Sequence, residues 1–88
     1  MKELIDVNFN EKAEVFRQPV VEVIDCNERW PDNFPHEHKY ILKVTHENGT
    51  MATWYADAYF DGTLKEAETA AQYLLGLTKV WLATKRGM

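Results

Sequence analysis

No serine occurs in the chain, cysteine appears once, and glycine and proline are sparse, at four and three residues of 88. The longest apolar run is far short of the roughly 18 residues that a membrane span needs. Each shortage excludes something. Without serine there is no serine nucleophile. With Cys26 as the sole thiol there is no internal disulfide, and a soluble, reducing, cytoplasmic setting is expected. The glycines are too scattered for a phosphate-cradling loop. The opening stretch MKELIDVNFN carries acids and no apolar h-region, so no secretory leader is expected. No repeat or low-complexity segment interrupts the chain.

What remains is the composition of a small folded domain, with 45% hydrophobic and 27% charged residues. The length predicts a single domain over 1–88 that buries about 60–65% of its unfolded surface, a small core. The net charge of −4 is uneven. Residues 1–38 hold nine acids against four bases, whereas 39–88 hold five acids against six bases. An acidic chain without a basic stripe is a poor binder of phosphate backbones, so no direct nucleic-acid contact and no membrane partner are expected. Its carboxylates suit a basic protein surface, or simply serve as a solvated face.

The most specific local signal is the stretch KYILKVTHENGTMATWYADAYF at 39–60. Asn48-Gly49 between two apolar-rich runs predicts an antiparallel hairpin with a type I′ turn. A regular register on that turn pairs Val44 with Thr53, Leu42 with Tyr55 and Tyr40 with Asp57. One face then collects Tyr40, Leu42, Val44, His46, Met51, Thr53 and Tyr55, and the other Ile41, Lys43, Thr45, Ala52, Trp54, Ala56, Ala58 and Phe60. Neither face is polar. A helix over the alanine face leaves the Tyr40–Tyr55 face to be covered by the rest of the chain, a second copy or a partner.

Around this hairpin the elements are simpler. Val20–Cys26 is β-branched and reads as a strand. Leu4, Ile5, Val7 and Phe9 suggest a short strand, with a turn of helix after Asn10 ended by Pro19 as an open possibility. Residues 27–38, NERWPDNFPHEH, form a proline-bearing loop whose Trp30 and Phe34 either tuck beneath it or protrude as contacts. Thr63-Leu64-Lys65-Glu66 is a capping box, and Ala67, Ala70, Ala71, Leu74 and Leu75 make one helical stripe. Gly76 is expected to end this helix and Thr78–Thr84 to form a last strand, the alternative being a helix that runs through Gly76. The fold class is therefore α+β, a small antiparallel sheet in the order β-β-β-α-β with one helix on one face.

Chemistry is thinly signalled. His36 and His38, two apart, place both imidazoles on one side of an extended chain, about 6.5–7 Å apart at Cα, a spacing that suits a transition metal. A third ligand would come from Cys26, Asp32, His46 or Asp57, but no second motif supplies it. Cys26 near these histidines imitates a thiol–imidazole pair without anything to activate it. Asp57, placed opposite Tyr40 among apolar residues, has a raised pKa if buried; the commoner arrangement is a strand-end carboxylate in water or bonded to a hydroxyl. No catalysis and no cofactor are expected, and His36 and His38 remain weak metal candidates.

The stretch YFDGTLKEAETAAQYLLGLTKVWLA, with its strand, turn, Thr-x-x-Glu-Ala, helix and final strand, resembles HicB-type antitoxins with their partial RNase H fold. It is also similar to small phage proteins that inhibit host machinery, including anti-CRISPR proteins and phage inhibitors of RNA polymerase. The resemblance covers under a third of the chain, and Ala56-Asp57-Ala58-Tyr59-Phe60 stands where those antitoxins carry a Pro-Asp-Leu-Pro-Gly-like segment. It implies a non-catalytic, partner-binding protein, in its antitoxin form a homodimer.

Residues and resemblance together predict a protein-interaction domain, in its sharpest form a small phage or mobile-element inhibitor of a host nucleic-acid enzyme. Tyr40, Met51 and Tyr55 are the expected apolar anchors, with Trp30 and Phe34 beside them. Glu22, Asp25, Glu28 and Asp32 are expected to steer a basic partner, and homodimerisation through the same face is a further expectation. The alternative is a metal- or small-ligand-binding domain built on His36 and His38.

Overall fold

A computed structural model of the chain describes residues 3–14, 18–32, 36–47 and 54–86. Four strands, β1 (Ile5–Phe9), β2 (Pro19–Asp25), β3 (Tyr40–His46) and β4 (Trp54–Phe60), form one antiparallel sheet in the order β1-β4-β3-β2. A single helical turn, α1 (Cys26–Arg29), follows β2, and a 23-residue helix, α2 (Leu64–Arg86), crosses one face of the sheet. This is the expected α+β class, with one helix on a small antiparallel sheet. The sequence of elements differs: the fourth strand lies at the N-terminus, and the strand expected at Thr78–Thr84 is helix.

That difference has a local cause. Ala67, Ala70, Ala71, Leu74, Thr78 and Leu82 are all buried and continue one helical stripe straight through Gly76. Within the strand-like stretch the hydroxyls of Thr78 and Thr84, like that of Thr69 earlier in the helix, each donate to the carbonyl four residues before, so no hydroxyl among them is left without a partner. At the start of α2 the capping box forms as its sequence predicts. The Thr63 amide donates to Glu66 Oε1 at 2.9 Å, and the Glu66 amide to Thr63 Oγ1 at 3.1 Å. At the far end Lys85 Nζ donates to the carbonyls of Glu11 and Ala13, and Trp81 stacks on Phe9 at 5.2 Å between centroids. These contacts fasten the last turns of α2 to the β1 side of the sheet.

Gly76 itself has no neighbour within 4 Å of where a Cβ would stand. Gly76→Ala is therefore expected to stabilise the monomer by about 1 kcal/mol, the helix-propensity difference. Thermal melts at low protein concentration should show a rise of roughly 4–8 °C.

The hairpin strands pair as expected, but three residues out of the predicted register. Tyr40 faces Phe60, Leu42 faces Ala58, Lys43 faces Asp57 and Val44 faces Ala56, and a bulge then brings Thr45 opposite Trp54. The predicted turn at Asn48-Gly49 lies outside the described residues. A shift by an odd number of residues turns every β4 side chain to the opposite face relative to β3. The large residues Tyr40, Leu42 and Val44 thus share a face with the small Ala56 and Ala58, and α2 covers them all. The bulge adds Tyr55 to the same side, so Tyr55 and Ala56 are both buried although adjacent in sequence. This face is the core.

Candidate functional site

The opposite face of the sheet carries the candidate site. Reading across the strands, its side chains fall into rows. One row runs Ile24, Ile41, Tyr59 and Ile5; the next runs Glu22, Lys43, Asp57 and Asn8; a third runs Val20, Thr45 and Trp54. An apolar row thus lies beside a charged one, a pattern produced by the strand pairing and not visible along any single strand. α1 and the residue after it overhang one corner. Asp25 caps this short helix, its Oδ1 accepting from the amides of Asn27 at 2.9 Å and Glu28 at 3.2 Å. The cap sets Arg29 beside Glu22 at 3.6 Å and holds Trp30 at the rim. Between them lies a groove of about 230 Å³ with Ile24, Trp30, Ile41, Asp57 and Tyr59 among its walls. Trp30 and Tyr59 keep 38% and 37% of their surface exposed, which is unusual area for two large aromatics facing one groove.

Asp57 stands in the charged row. Burial raises its pKa above the ordinary carboxylate value, and the Asn8 amide and the Lys43 ammonium oppose that rise without cancelling it. The residue across from Asp57 is Lys43, not the Tyr40 that the regular hairpin register predicts.

The acids gather at one end. In this topology β2 and β4 end where β1 and β3 begin, so Asp6, Asp25 and Asp61 share an edge with Glu28, Asp32 and Glu37 from the adjoining segments. His38 sits among them. Its Nδ1 is 2.9 Å from Asp61 Oδ2, its ring stacks on Tyr59 at 4.8 Å, and Asp61 Oδ1 accepts from the Lys39 amide at 2.8 Å. The hydrogen bond that the His38 ring donates to Asp61, aided by the charges of Asp61, Glu37 and Asp6, raises the His38 pKa above its ordinary 6.5 despite some desolvation. A histidine raised on folding contributes stability that is complete below 6.5 and lost as pH climbs through the higher folded value. Urea titrations on the alkaline side of 6.5 should therefore show stability falling with pH. Asp61→Asn, which keeps an acceptor for the Lys39 amide but not the charge, should flatten that slope. An equal slope in the variant would mean that another group titrates.

Of the residues expected to bind a partner, Trp30 and Glu22 line the groove, and Glu28 and Asp32 are exposed. Asp25 is engaged as a helix cap. Tyr40 and Tyr55 are not exposed anchors: the register shift and the bulge bury both beneath α2. Phe34 and Met51 lie outside the described residues. Ile41, Asp57 and Tyr59 are the open-face residues that strand alternation alone misassigned or passed over. The available signal was size matching, since Ala56 and Ala58 leave room only if Val44 and Leu42 stand opposite on the same face.

His36 and His38 point to different partners. His36 Nε2 is 2.8 Å from the Trp30 carbonyl, and His38 engages Asp61. Among the described residues no group of three or more His, Cys, Asp or Glu side chains is placed to hold a metal ion. The Cys26 thiol is buried, and burial followed by the charges of Asp25 and Asp61 pushes its pKa upward, the reverse of what activates a nucleophile.

Four antiparallel strands with a helix across one face and a striped, groove-bearing opposite face define a small α+β domain. No helix among the described residues is long and apolar enough to cross a membrane. Comparison with protein-family models, curated proteins and solved structures returns no match. The final strand that the HicB-type resemblance implies is replaced by the second half of α2.

Proposed function

We propose that this chain is a non-catalytic protein-interaction domain that receives its partner on the open face of the sheet. The observation that carries the reading is the groove between α1 and β3–β4, where Trp30 and Tyr59 remain exposed beside Ile24 and Ile41, with Glu22, Arg29, Lys43 and Asp57 completing the walls. Aromatic side chains that become buried at the centre of an interface supply much of its binding energy. The acidic end adjoining the groove favours a partner with a basic surface, because complementary charge speeds encounter and fixes orientation. In its sharpest form the partner is a host nucleic-acid enzyme, and the chain is the small acidic phage or mobile-element protein that inhibits it.

The test is capture from bacterial lysate with wild type, Trp30→Ala and Tyr59→Ala, at low and moderate salt. The expected result is one stoichiometric partner bound by wild type, weakened by moderate salt and lost with either variant. An empty wild-type capture at both salts, or capture indifferent to both substitutions, overturns the reading.

A further inference from the structure

The outward ridge of α2 has a pattern that the sheet-face reading does not use. Thr69, Tyr73, Gly76, Val80 and Ala83 recur at alternating spacings of four and three, all are exposed, and none is charged. Tyr73 and Val80 are 53% and 68% exposed. Between them stands Gly76, which weakens the helix and has no neighbour within 4 Å that a side chain would strike. Inside one copy of the chain, glycine at this position has no steric purpose. A glycine flanked by exposed apolar residues does have a purpose where a second helix approaches closely.

We propose that this ridge is a self-association surface, on which a second copy of the chain lays its own α2 antiparallel, the two helices crossing at Gly76. The helix is self-complementary in that orientation. With a rise of about 1.5 Å per residue, Tyr73 lies roughly 4.5 Å before the crossing and Val80 roughly 6 Å beyond it. Antiparallel pairing therefore sets Tyr73 against the partner's Val80, twice, with the two glycines between them. Charge agrees. Residues 64–75 carry Lys65, Glu66 and Glu68, a net −1, whereas residues 77–86 carry Lys79, Lys85 and Arg86, a net +3, of which Lys85 is turned to the carbonyls of Glu11 and Ala13 and Lys79 is exposed beside the ridge. Glu68 and Lys79 share a flank, and in the antiparallel pair Glu68 falls about 7.5 Å along the axis from the partner's Lys79, within reach of a lysine stem. The helix dipoles also oppose favourably. Parallel pairing would instead bring the two basic C-terminal halves together and align the helix dipoles.

Sedimentation over a concentration series tests this. Wild type should dimerise reversibly, and Val80→Lys should weaken association roughly tenfold or more while leaving the circular dichroism spectrum unchanged. Tyr73→Glu, also at an exposed position, serves if Val80→Lys misfolds. Tyr59→Ala should leave the dimer intact, which separates this surface from the sheet face. Gly76→Cys should cross-link between copies under mild oxidation, and Tyr73→Cys should not. A wild type that stays monomeric at millimolar concentration overturns the proposal. So does a dimer indifferent to the ridge substitutions or abolished by Tyr59→Ala, and efficient cross-linking through Tyr73→Cys overturns the antiparallel arrangement.

Discussion

Tyr55→Ala is expected to cost about 3–5 kcal/mol, the usual range for deleting a fully buried aromatic ring. Tyr55 has no exposed surface and packs in the cluster formed by Tyr40, Leu42, Val44 and the alanine face of α2. A domain of this size has only on the order of 5–10 kcal/mol in total, so the variant should be largely unfolded or melt far below wild type. Tyr59→Ala, four residues away, should cost clearly less, about 1–2 kcal/mol, because its ring lies on the open face and loses mainly the stack on His38. Urea unfolding followed by circular dichroism measures both. The contrast tests the β4 bulge directly: regular alternation would place Tyr55 and Tyr59 on one face, and two similar losses would contradict the bulge.

That bulge explains how much of the sheet was legible in the sequence. The antiparallel pairing of β3 with β4 follows from two apolar runs around a turn signal. Register requires more, because it depends on the turn geometry and on any extra residue absorbed by a strand. Here both faces of the hairpin are rich in apolar residues, so hydrophobic alternation did not penalise the wrong register. The consequence was specific: Tyr40 and Tyr55 were expected on the surface, and the groove formed by Ile41, Asp57 and Tyr59 went unread. Trp30 stood out as a large aromatic in a proline-bearing loop whatever the register, and of the two readings open to it, tucked or protruding, it keeps 38% of its surface exposed. The acidic edge was legible as charge but not as a place, since it is assembled from four strand ends and the segments beside them.

α2 shows the same division between local and tertiary information. Its beginning was readable because a capping box is a contact between residues three apart. Its end was not. Gly76, Thr78, Val80 and Thr84 each weaken helix locally, and together they imitate a stop followed by a strand. What holds the second half of the helix is packing of Thr78 and Leu82 on the sheet and the tether from Lys85 to the carbonyls of Glu11 and Ala13. Those partners are more than 70 residues apart in sequence. The buried stripe did offer a clue, since Ala71, Leu74, Thr78 and Leu82 keep helical spacing across the glycine.

Gly62→Ala is expected to cost about 1–3 kcal/mol, the range for forcing extra volume into a packed site. A Cβ there would lie 2.7 Å from Phe60 Cε2 and 3.0 Å from Glu66 Oε1. Neither neighbour yields cheaply. The Phe60 ring has no exposed surface and packs in the core cluster beside Ala67 and Leu74. The Glu66 carboxylate accepts the Thr63 amide, so displacing it also undoes half of the capping box. The same chemical change at Gly76 meets open space and is expected to raise stability instead. Melting both variants beside wild type at low concentration therefore reads two glycines with opposite roles. Loss at Gly62 with gain at Gly76 would mean that the turn before α2 needs its glycine for room. It would also mean that the ridge glycine serves no purpose within one copy of the chain. A stabilised Gly62→Ala would show that the Phe60 ring is free to move, and with it the corner where β4 hands the chain to α2.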